Sequence, residues 1–176
     1  MTEDLKPNKH VKYILNIAYK RIWAISRLKS FGVANKDIFH FYFLKIRSVL
    51  ENLCPVFQPM LTQENREDIE RIQKIIVKIV LGQKYDSYEE ACVKFSLPTL
   101  EERRKKLCLN FALKCLKTEK FKSLFHENNE PSYNLQTVRT KFKVPFCNKA
   151  RYEKSPIPYM VSLLNDYFHL TSQFKM

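Results

Sequence analysis

The residue types that carry most enzyme chemistry, cysteine, histidine and aspartate, occur in this sequence without the spacing that such chemistry needs. Successive cysteines are 38, 16, 7 and 32 residues apart, whereas a zinc site uses close pairs such as C-x-x-C. The four histidines are scattered and no two aspartates are adjacent, so the converging carboxylates of a two-metal polymerase or nuclease site are not indicated. Gly32 and Gly82 are too far apart to form a glycine-rich phosphate loop. The sequence predicts no metal site, no cofactor and no catalysis by this chain.

Cations, by contrast, are concentrated in two parts of the chain. The sequence carries 31 Lys and Arg against 18 Asp and Glu, a net charge of +13. Eight cations lie between Asp4 and Asp37 without any acidic residue, and five more lie between Glu130 and Glu153. Cations without nearby carboxylates repel one another, and a polyanion relieves that repulsion while releasing its own counterions. The cations of these two windows are Lys6, Lys9, Lys12, Lys20, Arg21, Arg27, Lys29 and Lys36, then Arg139, Lys141, Lys143, Lys149 and Arg151.

Three interpretations of this charge remain open at the level of sequence. The favoured one is contact with nucleic acid, because the second window also holds aromatic residues that could stack on bases. These aromatics are Tyr133, Phe142, Phe146 and Tyr152. The second is a solvated basic surface that only keeps the protein soluble. The third is a helical scaffold whose exposed aromatics, with Trp23, Phe39 and Phe43 as candidates, bind another protein.

The hydrophobic pattern predicts an all-α fold. Apolar residues recur at spacings of three and four through the first 126 residues, which is typical of helices with one buried face. Helices are expected over about 10–30 and 36–50, with Pro55 and Pro59 holding an extended connection after the second. Three further helices are expected to follow. The local start and stop signals are Asn35, Thr62, Gly82, Ser87 and Thr99.

The pattern changes after residue 126. Residues 127–156 lose the helical period and gain prolines, which predicts an extended basic arm. We therefore expect a bundle of about five helices over 1–126, this arm over 127–156, and a short C-terminal helix and tail over 157–176. The polar first ten residues, the odd number of widely spaced cysteines and the absence of a long apolar run predict a soluble protein in a reducing, intracellular compartment, without a membrane partner.

Six phrases, in order along the chain, carry a family resemblance. They are DLKPNKHVKYI (4–14), AYKRIWAISRLKSFGV (18–33), FYFLKIRSVLENLCPVFQPMLT (41–62), IERIQKIIVKIVLG (69–82), SLPTLEERRKKLCLNFALKCLK (96–117) and RYEKSPIPYMVSLLN (151–165). With these phrases the chain resembles the C-terminal end of the reverse transcriptase of non-long-terminal-repeat (LINE-type, jockey-like) retrotransposons. Two positions depart from the pattern, since Pro7 and Phe57 stand where such proteins usually have tryptophan.

The resemblance implies a helical thumb that grips a template–primer duplex, followed by an extension. The polymerase palm with its paired aspartates would precede Met1, so the chain would bind RNA, DNA or their hybrid, and that palm, without catalysing polymerisation itself. Nuclear residence is the corresponding expectation, and a remnant without selected function is a further alternative. The expected phosphate contacts are Lys20, Arg21, Arg27, Lys29 and Arg47 in the helices, with Lys141, Lys143 and Arg151 in the arm.

Overall fold

The computed structural model describes residues 7–128 and 140–173, apart from the side chains of Arg151, Ser172 and Gln173. This part of the chain is all-α, as predicted, and contains no strand beyond one isolated antiparallel bridge between Glu127 and Phe142. The helices are α1 (Asn8–Ser30), α2 (Asn35–Tyr42), α3 (Ser48–Leu50), α4 (Cys54–Phe57), α5 (Gln63–Leu81), α6 (Tyr88–Lys94), α7 (Leu100–Lys117), α8 (Glu119–Lys122), α9 (Ala150–Glu153) and α10 (Pro156–Gln173).

The predicted start signals of three helices are confirmed by their hydrogen bonds. The Thr62 hydroxyl accepts from the Asn65 amide at 3.2 Å, and the Ser87 hydroxyl accepts from the Glu90 amide at 3.1 Å. Thr99 forms the full reciprocal capping box: its hydroxyl accepts from the Glu102 amide at 3.2 Å, and the Glu102 carboxylate accepts from the Thr99 amide at 3.3 Å. These bonds satisfy amides that have no partner within the helix.

Four local expectations need correction. Asn35 is the first residue of α2 rather than its N-cap, which is Ala34. Pro55 and Pro59 do not hold an extended connection but lie in α4 and in a 3₁₀ turn, Gln58–Met60. Proline is tolerated in a first helical turn, where its missing N–H costs nothing. The C-terminal helix is long rather than short, and the chain between α2 and α3 forms a π-helical turn, Phe43–Arg47.

The chain divides into two compact units, unit 1 (residues 1–54 and 60–104) and unit 2 (residues 55–59 and 105–176). The expected boundaries after residues 126 and 156 do not coincide with this division. The reason is the core of unit 2, which combines α7 and α10 side chains with Phe125 and with Phe142 from the expected arm. Its buried members are Ala112, Cys115, Phe125, Phe142, Met160, Val161 and Leu164.

Helix α1 is held in unit 1 by one apolar side that packs chiefly along α5. On α1 the buried residues of this core are Val11, Ala18 and Ile25, and on α5 they include Ile69, Ile72 and Ile76. Burying such a side chain contributes about 1.5–3 kcal/mol. The packing fixes the rotation of α1 about its axis, and so it determines which residues of α1 face outward.

A polar network is enclosed in the same core. The Tyr42 hydroxyl donates to the Gln73 side-chain oxygen, and the Gln73 amide donates to the Tyr88 hydroxyl at 2.7 Å and to the Pro98 carbonyl at 3.1 Å. The Tyr88 hydroxyl donates to the Glu70 carboxylate, whose second oxygen accepts from the Leu100 amide at 3.0 Å. Burial, above all, raises the pKa of both tyrosines well above the ordinary value, and for Tyr88 the hydrogen bond to Glu70 adds to it.

Candidate nucleic-acid interface

The outward side of α1 carries a continuous row of polar and aromatic residues, which we call the α1 stripe. Its members recur at alternating spacings of four and three residues, the spacing at which side chains line up on one face of a helix. All of them are exposed. The α1 stripe consists of Lys9, Tyr13, Asn16, Lys20, Trp23 and Arg27.

The aromatic members of the α1 stripe are set in solvent. Trp23 is 65% exposed and Tyr13 is 63% exposed, and Tyr19 beside the stripe is also exposed. Phe31, four residues beyond Arg27 at the C-cap of α1, is 78% exposed. Single exposed apolar residues are common on proteins, whereas several large exposed aromatics on one helix make this side of α1 a candidate interaction surface.

The cations of this side are not neutralised within the helix. Helix α1 contains no Asp or Glu. Over residues 7–128 and 140–173, the ion pairs to carboxylates do not involve Lys9, Lys12, Lys20 or Arg27. The surface therefore combines unpaired positive charge with aromatic rings, the combination used to bind nucleic acid.

One contact orders the end of the α1 stripe. The Arg27 guanidinium carbon lies 5.4 Å from the centre of the Trp23 ring, one turn away on the same face. A cation over an aromatic face is attracted by the electron density of the ring. The pair holds a flat ring and a flat cation together while both remain accessible.

The structure brings Lys20 and Arg27 together but not Arg21 and Lys29. At 3.6 residues per turn, Arg21 and Lys29 lie about 100° and 180° around α1 from Lys20. The Arg21 guanidinium donates to the Lys45 carbonyl within the π-helical turn, and the Lys29 ammonium donates to the Asn35 side chain at 2.9 Å. Arg21 thus ties α1 to the π-helical turn and Lys29 ties it to the start of α2, and within the described residues neither is paired with a carboxylate.

Arg47 is part of a charged cluster rather than an open cation. Its guanidinium lies 4.0 Å from the centre of the Phe43 ring and 3.6 Å from the Glu51 carboxylate, which also binds Arg103. Burial, and then the charge of Arg103, lowers the pKa of Arg47. Arg47 was expected to contact phosphate, but its guanidinium already contacts the Phe43 ring and the Glu51 carboxylate.

The second window presents its residues less regularly. The Lys141 ammonium lies 3.9 Å from the centre of the Phe168 ring, and the Lys143 side chain is exposed. Arg151, Arg139 and Tyr133 lie outside the described side chains. Phe142, expected to stack on bases, is buried in the core of unit 2, whereas Phe146 and Tyr152 are exposed.

The protein-binding alternative rested on three aromatics, and the structure separates them. Phe39 is buried in the core and Phe43 packs against it, so only Trp23 is fully available. Conversely, sequence reasoning missed Tyr13 as a partner of Trp23, and Lys9 as a partner of Lys20. The signal was present, because the polar side of α1 repeats with the same helical period as its apolar side.

Other kinds of site find little support in this part of the chain. Within the described ranges, no three His, Cys, Asp or Glu side chains come together in a way that could hold a metal ion. No described helix combines the length and the hydropathy of a membrane span. Neither a protein-family model, nor a curated protein, nor a solved structure matches this chain.

Proposed function

We propose that this chain binds nucleic acid through the α1 stripe and does not itself catalyse a reaction. Lys20 and Arg27, with Lys9 and Lys12, contact phosphates, and Lys141, Lys143 and Arg151 add contacts from the second window. Such contacts position a protein on a polynucleotide without reading its sequence. The observation that carries the proposal is the absence of any carboxylate in α1, a helix of 23 residues with four of its six cations, Lys9, Lys12, Lys20 and Arg27, exposed.

The family resemblance supports the same function from a separate direction. In the thumb of a LINE-type reverse transcriptase, helices follow the palm and hold the template–primer duplex. We therefore extend the proposal to a nuclear, retrotransposon-derived segment that acts beside a polymerase palm. That extension rests on the six ordered phrases, and the binding proposal stands without it.

Salt dependence of binding tests the proposal directly. Affinity for labelled single-stranded DNA, duplex DNA and RNA–DNA hybrid is measured by fluorescence anisotropy between about 50 and 200 mM salt. The logarithm of the binding constant should fall linearly with the logarithm of the salt concentration. The double variant Lys20→Gln/Arg27→Gln should lower the slope by about 2, one for each phosphate that the protein no longer neutralises.

A matched control separates this surface from net charge. Lys78→Gln/Lys84→Gln removes the same charge from exposed positions of unit 1 outside α1, and it should change the slope much less. Binding that does not respond to salt, or equal effects of the two double variants, would overturn the proposal. Primer extension by the chain with Mg²⁺ would contradict its non-catalytic part.

A further inference from the structure

We propose that the α1 stripe is selective for unpaired nucleotides, which stack on Trp23 and Tyr13 while the flanking cations hold their phosphates. This inference rests on the proposed binding through the α1 stripe, and not on the extension to a thumb that holds a duplex, and it assigns the ligand class: single-stranded rather than double-stranded nucleic acid. It follows from the exposed rings, which phosphate binding alone leaves without a role.

The ring of Trp23 is open to solvent. A tryptophan ring 65% exposed to water offers a flat face to any base that can reach it. Bases within a duplex are already stacked on one another and shielded by two backbones, so only an unpaired base can lie on this ring. Stacking of a base on an aromatic side chain contributes about 1–3 kcal/mol and tolerates any base, because every base has a π face.

Cations lie before and after Trp23 along the α1 stripe. Lys20 precedes Trp23 by three residues and Arg27 follows it by four, so their Cα atoms lie about 4.5 and 6 Å along the helix axis from that of Trp23, and the Arg27 guanidinium lies 5.4 Å from the centre of the ring. A nucleotide stacked on Trp23 therefore has a cation on either side for its two phosphates. Lys9 and Asn16 flank Tyr13 at the same two spacings, which gives a second platform about 15 Å further along α1.

The positive charge of the α1 stripe favours a nucleic-acid ligand over a protein partner. An apolar helix face that binds a protein is normally depleted of lysine at its centre, whereas here lysines alternate with the rings. A partner must be both polyanionic and rich in flat rings. Single-stranded nucleic acid has both properties in one molecule.

The sole tryptophan of the chain is Trp23, so its fluorescence reports on this position alone. We would titrate the full chain with oligothymidylate, with a duplex of the same length, and with inorganic polyphosphate, a polyanion that carries no bases. Oligothymidylate should quench the fluorescence strongly. The duplex and polyphosphate should bind with little quenching.

Two substitutions, followed by isothermal titration calorimetry because they remove the fluorophore, then measure the stacking. Trp23→Leu keeps an apolar side chain without a π face and should weaken oligothymidylate binding about tenfold, with less than a twofold effect on polyphosphate. Trp23→Phe should retain most of the affinity. Phe146→Leu removes another strongly exposed ring, 87% accessible and outside α1, and should change binding less than Trp23→Leu does.

The outcomes separate this inference from the function on which it rests. Salt-dependent binding with equal affinity for duplex and single strand, or quenching by polyphosphate as strong as by oligothymidylate, overturns the selectivity and leaves nucleic-acid binding standing. Unchanged oligothymidylate binding by Trp23→Leu overturns it as well. Failure to bind any of the three polyanions overturns both proposals.

Discussion

Each of the two compact units must fix a stretch of chain that is not helical, and they do so with different side chains. In unit 1 the connection before α7 is held by Gln73 and Glu70, which bind the Pro98 carbonyl and the Leu100 amide as part of the network with Tyr42 and Tyr88. In unit 2 the chain around Phe142 is paired with residues 126–128 by backbone hydrogen bonds, and the Asn165 side chain accepts from the Phe142 amide at 2.8 Å and donates to the Phe142 carbonyl at 3.0 Å.

The two units support the chain of their basic windows in different ways. Backbone groups outside helices need partners when they are buried, and both units meet that need. Unit 1 does so with Gln73, buried in the core against which α1 packs, and with the half-buried Glu70. The cations of α1 lie on a regular helix packed on that core. Unit 2 does so at Phe142 through Asn165 and on either side of it through backbone bonds, because the Lys141 carbonyl accepts from the Asn128 amide and the Lys143 amide donates to the His126 carbonyl. Among the described residues, cations recur with a helical period in the first window.

Alkaline pH should produce the largest effect, and chiefly through unit 1, where both buried tyrosines lie, although burial also raises the pKa of the Cys115 thiol in unit 2. Because burial raises the pKa of Tyr42 and Tyr88 in the folded state, the stability that they contribute is fully present below their unfolded pKa of about 10 and is lost as pH rises above it. Each tyrosine should cost about 1.4 kcal/mol per pH unit in that range. Thermal unfolding of the chain followed by circular dichroism between about pH 8 and 12 measures this loss.

Substitution of one tyrosine isolates the network. Tyr42→Phe should reduce the pH slope above pH 10 by about 1.4 kcal/mol per unit, whereas Tyr13→Phe, at an exposed position, should leave the slope unchanged. Equal slopes for the two variants would show that the buried hydroxyls do not couple to folding.

Removal of the Asn165 amide should have the next largest effect, confined to unit 2. Asn165→Leu leaves the amide and the carbonyl of Phe142 without these partners, which should cost about 1–3 kcal/mol. Native-state hydrogen exchange at neutral pH is expected to show about tenfold or greater loss of protection at the Phe142 amide. Asn148→Leu makes the same change at an exposed position of unit 2 and should leave that amide protected.

The smallest expected effect on stability concerns the N-cap of α7 in unit 1. Thr99→Ala removes the hydroxyl that caps α7 but leaves Glu70 and Gln73 in place, and it should cost about 1 kcal/mol. Thr99→Ser should restore the lost stability. Thr118→Ala provides a control, because the Thr118 hydroxyl makes no capping bond at the start of α8 and donates to the Lys114 carbonyl at 3.1 Å one turn earlier. A cost in urea unfolding no greater than that of the control would mean that the buried network alone fixes the start of α7.

Local signals made much of the fold predictable. Thr62, Ser87 and Thr99 cap helices through bonds to amides three residues later, so their role is written in adjacent sequence. Gly82 ends α5 with a φ of +55°, a conformation that favours glycine. The roles of Gln73 and Asn165 were not predictable, because their partners lie 15 to 31 residues away in sequence.

The candidate interface was also predictable only where local spacing along the sequence determines the position of a side chain. Composition identified a window of cations, and the seven-residue spacing of Lys20 and Arg27 places them on one face of any helix. Arg21 could not be assigned in this way, because its partner is a carbonyl of Lys45, 24 residues later, in the π-helical turn. Counting charges along the sequence does not reveal that a side chain is bound by a backbone carbonyl far away in the sequence.

The π-helical turn at Phe43–Arg47 gives the chain a place where its length can change. A bond from residue i to i+5 encloses one residue more than the α-helical bond to i+4, so losing one residue, such as the exposed Leu44, would leave an ordinary helix whose two ends still present Tyr42 and Leu50 to the core. The same deletion in the middle of α5 would rotate Ile76 about 100° away from Ile69. Single-residue deletions should therefore be tolerated at this turn and rejected in α5.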